Sequence, residues 1–197
     1  MKRRKGGFSM IEVLVSLVII CIGVLGMVAL QTRSVALSQD SVQRSNAMVL
    51  ANELLELMRS NRDQVLASDK VKIDGAYIKQ PDTNFRTKAL DAGKTCLTRD
   101  RSAGGETVAG QDLVCWLNQA KALLPVTDAL IASSFAVCPA SKVPLLPASP
   151  TDPGIPLTVC ENTARATVMV VIAWQDVSND QLNCPAGICY YALRSEL

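Results

Sequence analysis

The chain has 197 residues, 49% of them hydrophobic but only 4% aromatic, with a formal charge of +2. That length holds one domain of about 100–150 residues plus an appendage, and the aliphatic excess fits one greasy segment better than a purely soluble body. Lys2, Arg3, Arg4 and Lys5 supply four of the 20 basic residues, so the remaining 16 face 18 acidic ones; this mildly acidic body, with no basic stripe, gives no electrostatic case for nucleic acid.

Residues 8–30 read FSMIEVLVSLVIICIGVLGMVAL, and the 18 residues from Val13 to Leu30 carry no charge. A helix over 8–30 is about 35 Å long, enough to cross a hydrocarbon core of about 30 Å. The basic cluster just before it keeps the N-terminus cytoplasmic by the positive-inside rule, which puts the rest of the chain outside. A secretory signal peptide has the same basic-then-apolar order. Here the run continues into a helix-favouring sequence instead of an A-x-A site. It also carries Glu12 near its start, where a charge in hydrocarbon costs at least about 2.5 kcal/mol.

No proline occurs before Pro81, and Ala47, Ala51, Leu54 or Leu55, and Met58 recur at three- and four-residue spacing. These features predict one helix over about residues 8–59, roughly 78 Å long if unbroken. Its first half is apolar all round; its second half is amphipathic and needs a domain to pack against. Gly23 and Gly26 are its soft points.

Val71–Ile78 alternates loosely like a strand, and Arg101–Gly110 reads as a glycine-rich loop matching neither a P-loop nor a dinucleotide fingerprint. Leu113–Leu124, with Asp112 as N-cap and Pro125 as stop, reads as a short amphipathic helix. Ser133–Cys138, Leu157–Cys160, Ala166–Gln175 and Ile188–Arg194 read as strands. Pro144, Pro147, Pro150, Pro153 and Pro156 recur every third residue, a polyproline II period between Cys138 and Cys160. A surface loop closed by a disulfide accounts for that segment, and a docking edge is its functional alternative. Asp176, Asn179, Asp180 and Asn183 form a mildly acidic loop without the glycine and final glutamate of an EF-hand.

Cys21 lies inside the apolar run. The other six cysteines, Cys96, Cys115, Cys138, Cys160, Cys184 and Cys189, are an even set read as a disulfide framework, which requires an oxidising compartment. Zinc is disfavoured by wide spacings, no C-x-x-C pair and no histidine in the chain. Six cysteines allow 15 connectivities. Loop closure alone favours Cys96–Cys115, Cys138–Cys160 and Cys184–Cys189. No cofactor is implied. With no histidine, no G-x-S-x-G and no S-x-x-K, the chain has no catalytic frame, and Asp63, Asp69, Asp74 and Asp82 read as a solvated face.

The stretch Lys5-Gly6-Gly7-Phe8-Ser9-Met10-Ile11-Glu12-Val13-Leu14 resembles the processing signal of type IV prepilins and type II secretion pseudopilins. The resemblance implies cleavage after Gly7 by a prepilin peptidase, N-methylation of Phe8 and retention of the apolar run. It also implies that Glu12 neutralises the Phe8 amine of a neighbouring subunit during assembly. Within the family, residues 8–31 with Ile22–Gly26, and the stretch Ala51–Asn61, are most similar to minor pilins of the PilV kind, the pilus modification proteins. Trp116 ahead of Leu123-Leu124-Pro125, and the late strand ending Ala173–Asp176, echo the same proteins.

The implied fold is α+β, a long N-terminal helix packed on an antiparallel sheet with disulfides. Its expected organisation is a leader at 1–7, a membrane half of the helix at 8–30, an amphipathic half at 31–60 and a periplasmic head at 61–197. The implied role is that of a minor pilin, present at low copy in a type IV pilus and helping to prime assembly. Expected partners are major pilin, other minor pilins, the inner-membrane assembly platform and a tip adhesin. Expected localisation is the inner membrane by a single pass, then the extracellular pilus. A minor pseudopilin of a type II secretion system shares these features, and a signal-anchored periplasmic enzyme or binding module is the remaining class.

Overall fold

The computed structural model of the chain describes residues 9–142, 160–176, 184 and 187–197. It divides into two compact units, 1–39 and 40–197. Helix α1 runs without a break over Met10–Ser60, through Gly23 and Gly26, where an added Cβ would meet nothing within 4 Å. The proline-free sequence explains its length. A 3₁₀ turn, Arg62–Gln64, and a two-residue antiparallel pair, β1 (Leu66–Ala67) with β2 (Lys70–Val71), follow it.

The head's main sheet has the order β3-β4-β5, wholly antiparallel, from Ala136–Pro139, Thr167–Gln175 and Ile188–Glu196. The central strand β4 is buried at every position from Val168 to Trp174. Both of its faces are covered, which is why it reads as a continuous apolar run rather than an alternating one. Ala47, Leu50, Ala51, Leu54, Leu55 and Met58 from α1 belong to the same core cluster as these strand residues. The predicted amphipathic stripe is thus the buried one, and the α+β architecture stands.

Four local expectations are corrected. Val71–Ile78 is not a strand: after β2 the chain turns, with isolated bridges at either end, Val71 to Arg165 and Lys79 to Val137. The short helix expected at 113–124 is the second half of α2 (Gly105–Leu123), so Asp112 lies in mid-helix instead of capping it. The glycine-rich segment that obscured this start is largely helical. Gly104 and Gly105, at φ 58° and 84°, make the left-handed turn into α2, and Gly110 lets the helix touch Lys88, whose Cβ would lie 2.6 Å from an added methyl. Part of the strand expected at Ser133–Cys138 is instead helix α3 (Asp128–Ser134), capped by the Thr127 hydroxyl accepting from the Leu130 amide.

The structure bonds Cys96 to Cys115, Cys138 to Cys160 and Cys184 to Cys189, and leaves Cys21 free. Asp63, Asp69, Asp74 and Asp82 are all exposed. The proline-rich segment 144–156, the strand expected at 157–159, and Asn179, Asp180 and Asn183 lie outside the described residues.

Candidate functional site

Among the described residues, α1 is the helix long and apolar enough to span a membrane. Its most apolar 18-residue window has a mean hydropathy of 3.0, and none of that window is buried. Leu14, Leu17, Ile19, Ile22 and Leu25 are 53 to 69% exposed. Such a surface is stable only in lipid or against other protein. The few hydroxyls on it are handled as hydrocarbon demands. Ser16 donates to the Val13 carbonyl at 2.8 Å, and Thr32 donates to Ala29 at 2.9 Å.

Glu12 stands in the first turn of α1, its amide donating to the Ser9 carbonyl at 3.0 Å. A carboxylate there meets the positive end of the helix dipole, which lowers the cost of its charge beside an apolar run. It is exposed, so a cationic partner could reach it. Gly7 and Phe8 lie outside the described residues.

The head is held by two buried polar clusters that sequence reading missed. In the first, Asp112 is fully buried. Arg101 grips its carboxylate through Nε and Nη2 at 2.9 Å each, Arg99 Nε donates at 3.0 Å, and the Tyr77 hydroxyl donates at 2.8 Å. Burial, followed by the neighbouring Asp112, pushes the Tyr77 phenol well above its ordinary range, and the bond to Asp112 holds the Arg101 guanidinium more firmly protonated. Asn61 completes the cluster. Its side-chain amide donates to the Gly105 carbonyl and accepts from the Gly105 amide, both at 2.9 Å, which fastens the start of α2 to the end of α1. Arg99 also donates to the Cys96 carbonyl, so the Cys96–Cys115 bridge and the ion pairs brace the same turn.

In the second cluster Lys79, 2% exposed, points its ammonium at the C-terminal end of α3, donating to the carbonyls of Ala132 at 2.8 Å and Phe135 at 2.6 Å. The negative end of the helix dipole favours a cation there. Desolvation nevertheless wins and lowers its pKa to about 8. No hydrophobic period predicts a lysine in a core, and the only sequence signal was its place in an otherwise apolar segment, Ala76–Ile78.

Asp40, Cys184 and Cys189 approach one another closely, but both sulfurs belong to one disulfide and offer no thiolate for a metal. The guanidinium of Arg44 bonds Asp40 at 2.8 Å, lies 5.9 Å from the Trp174 ring and approaches Cys184 Sγ at 3.6 Å. This is a packing joint. The expected site residues therefore fall into two groups: Glu12 on the exposed helix, and the cysteines as staples within the head.

Residues 2–28 match the family model described as the prokaryotic N-terminal methylation motif, and residues 29–100 match that of type IV pilin Tt1218. No curated protein and no solved structure matches the chain. The two matches adjoin, and they cover the exposed apolar helix, its buried continuation and the first part of the head. The chain belongs to the type IV pilin-like family.

Proposed function

We propose that this pilin is a minor pilin of a type IV pilus, incorporated at low copy and helping to prime assembly. The observation that carries the reading is the pairing of an uncovered apolar helix, with Glu12 in its first turn, and a compact head stapled by disulfides. A shared helix lets the subunit join a bundle, and a distinct head gives the bundle a new surface. Residues 1–7 act as a leader removed by a prepilin peptidase after Gly7, and Phe8 becomes the methylated N-terminus. Before assembly the subunit waits in the inner membrane with its N-terminus cytoplasmic and its head periplasmic, where the cysteines oxidise. Its partners are then the assembly platform, major pilin, sibling minor pilins and a tip adhesin. The role is structural and not enzymatic.

On this reading the Glu12 carboxylate pairs with the Phe8 amine of a neighbour, because both charges are costly in a low-dielectric bundle and pairing offsets that cost. Glu12→Val then leaves cleavage and membrane insertion intact and removes the protein from sheared pili. Immunoblots of sheared filaments and of membranes separate the two outcomes; wild-type amounts of the variant in the filament fraction refute the role. The intact mass of membrane-extracted protein tests processing, since loss of Met1–Gly7 with one added methyl is required.

A further inference from the structure

We infer that a cleft between the 84–87 segment, α2 and α3 is a binding site for a small neutral carbohydrate. Its volume is about 360 Å³, at the lower end of the range for small-molecule sites and enough for roughly one or two pyranose rings. The floor is apolar, made by Val114 and Leu117 of α2, Ile131 of α3 and the nearly buried ring of Phe85. Phe85 is held there by an edge contact with Trp116, 5.7 Å between centroids.

The rim is what selects the ligand. Asn84, Thr87 and Asn118 line the cleft, are exposed, and make no side-chain hydrogen bond among the described residues. Other asparagines are committed internally: Asn46 to the Leu123 carbonyl, Asn52 to that of Met48 and Asn61 to Gly105. The cleft therefore brings together two free amides and a free hydroxyl from two different elements, each able to donate and accept. At its mouth Lys121 and Asp128 pair at 2.5 Å and join α2 to α3.

This chemistry sorts the candidate ligands. The paired charges cancel, so an anion or a cation would gain only by breaking the pair. A purely apolar ligand would cover three polar side chains without giving them partners. An extended peptide needs a ladder of open main-chain groups, yet the amides of Thr87 and Lys88 already donate to the carbonyls of Phe85 and Gly110. A sugar offers hydroxyls to the rim and a C–H face to the floor. This inference goes beyond the assembly role and does not depend on it, since binding is read on the single chain.

The test uses full-length protein in a detergent without sugar head groups, titrated with the methyl glycosides of glucose, galactose, mannose and N-acetylglucosamine and followed by saturation-transfer NMR. At least one glycoside is expected to bind. The double substitution Asn84→Ala and Asn118→Ala should weaken it tenfold or more, about 1.4 kcal/mol. Both side chains are exposed, so the fold survives their loss. Leu117→Trp, which fills the floor, should also abolish the signal, while Asn162→Ala, outside the cleft, should leave it unchanged. No binding by any of the four glycosides overturns the inference, and so does undiminished binding by the double variant.

Discussion

Val13–Leu30 and Ala47–Met58 are stretches of one helix with similar aliphatic content, yet their surroundings are opposite. The first is exposed throughout; the second buries seven residues, from Ala47 to Met58, in the head's core. In the second stretch, apolar side chains at three- and four-residue spacing find partners in the same chain, so their energy is spent on folding. In the first they are exposed, and their energy is released in lipid or against other protein. Function in the exposed stretch is therefore a matter of what surrounds the molecule, and stability in the buried one a matter of what fills it.

Substitutions that separate folding from assembly sharpen this contrast. Trp116→Ala should have the largest effect. It empties a ring packed between Phe85 and Phe135 and deletes the 2.8 Å bond from Nε1 to the Leu50 carbonyl. Loss of about 3–5 kcal/mol in denaturant unfolding followed by circular dichroism is expected. Next comes Asp112→Ala, which leaves Arg99 and Arg101 facing each other without their counter-charge; about 3 kcal/mol should be lost.

A smaller effect is expected from pH. Burial lowers the Lys79 pKa from 10.5 to about 8, so the unfolded chain binds more protons than the folded one between those values. Stability attributable to Lys79 is absent below pH 8 and grows as pH rises, by about 2 kcal/mol up to pH 10. Above pH 10 the raised Tyr77 pKa acts in the opposite direction, because the unfolded phenol ionises first. The stability of wild type relative to Lys79→Met should thus rise from pH 8 to 10; a constant difference would contradict the burial of a charged amine. Smallest of all, Leu17→Ala should leave the head's unfolding midpoint unchanged, whereas a shift comparable to that of a core leucine would erase the contrast between the two stretches.

Much of this was legible in the sequence. The long helix showed in the absence of proline, the buried stripe in the spacing of Ala47, Ala51, Leu54 and Met58, and β4 in its apolar β-branched run. The readable features were those with a period or a composition. The start of α2 was hidden because glycine at 104, 105 and 110 signals a loop, while here two glycines make the turn and the third makes room for Lys88. Asp112 looked like a helix cap because a lone acid ahead of an apolar run usually is one. Its true partners, Arg99, Arg101 and Tyr77, are separated from it by up to 35 residues, and only folding assembles them. Lys79 was invisible for the same reason, since carbonyls at the end of α3 carry no side-chain signature. The cleft at Asn84 and Asn118 likewise combines two segments far apart in the chain.

Both tryptophans of the chain, Trp116 and Trp174, are buried in the head, and the exposed stretch of α1 has neither. Trp174 keeps its indole nitrogen without a hydrogen-bond partner among the described residues. Intrinsic fluorescence excited in the indole band therefore reports the head alone, with emission shifted to the blue while it is folded. Detergent exchange, bilayer reconstitution and filament growth can all be followed under one optical baseline, any red shift marking damage to the head and not a change in what surrounds the helix.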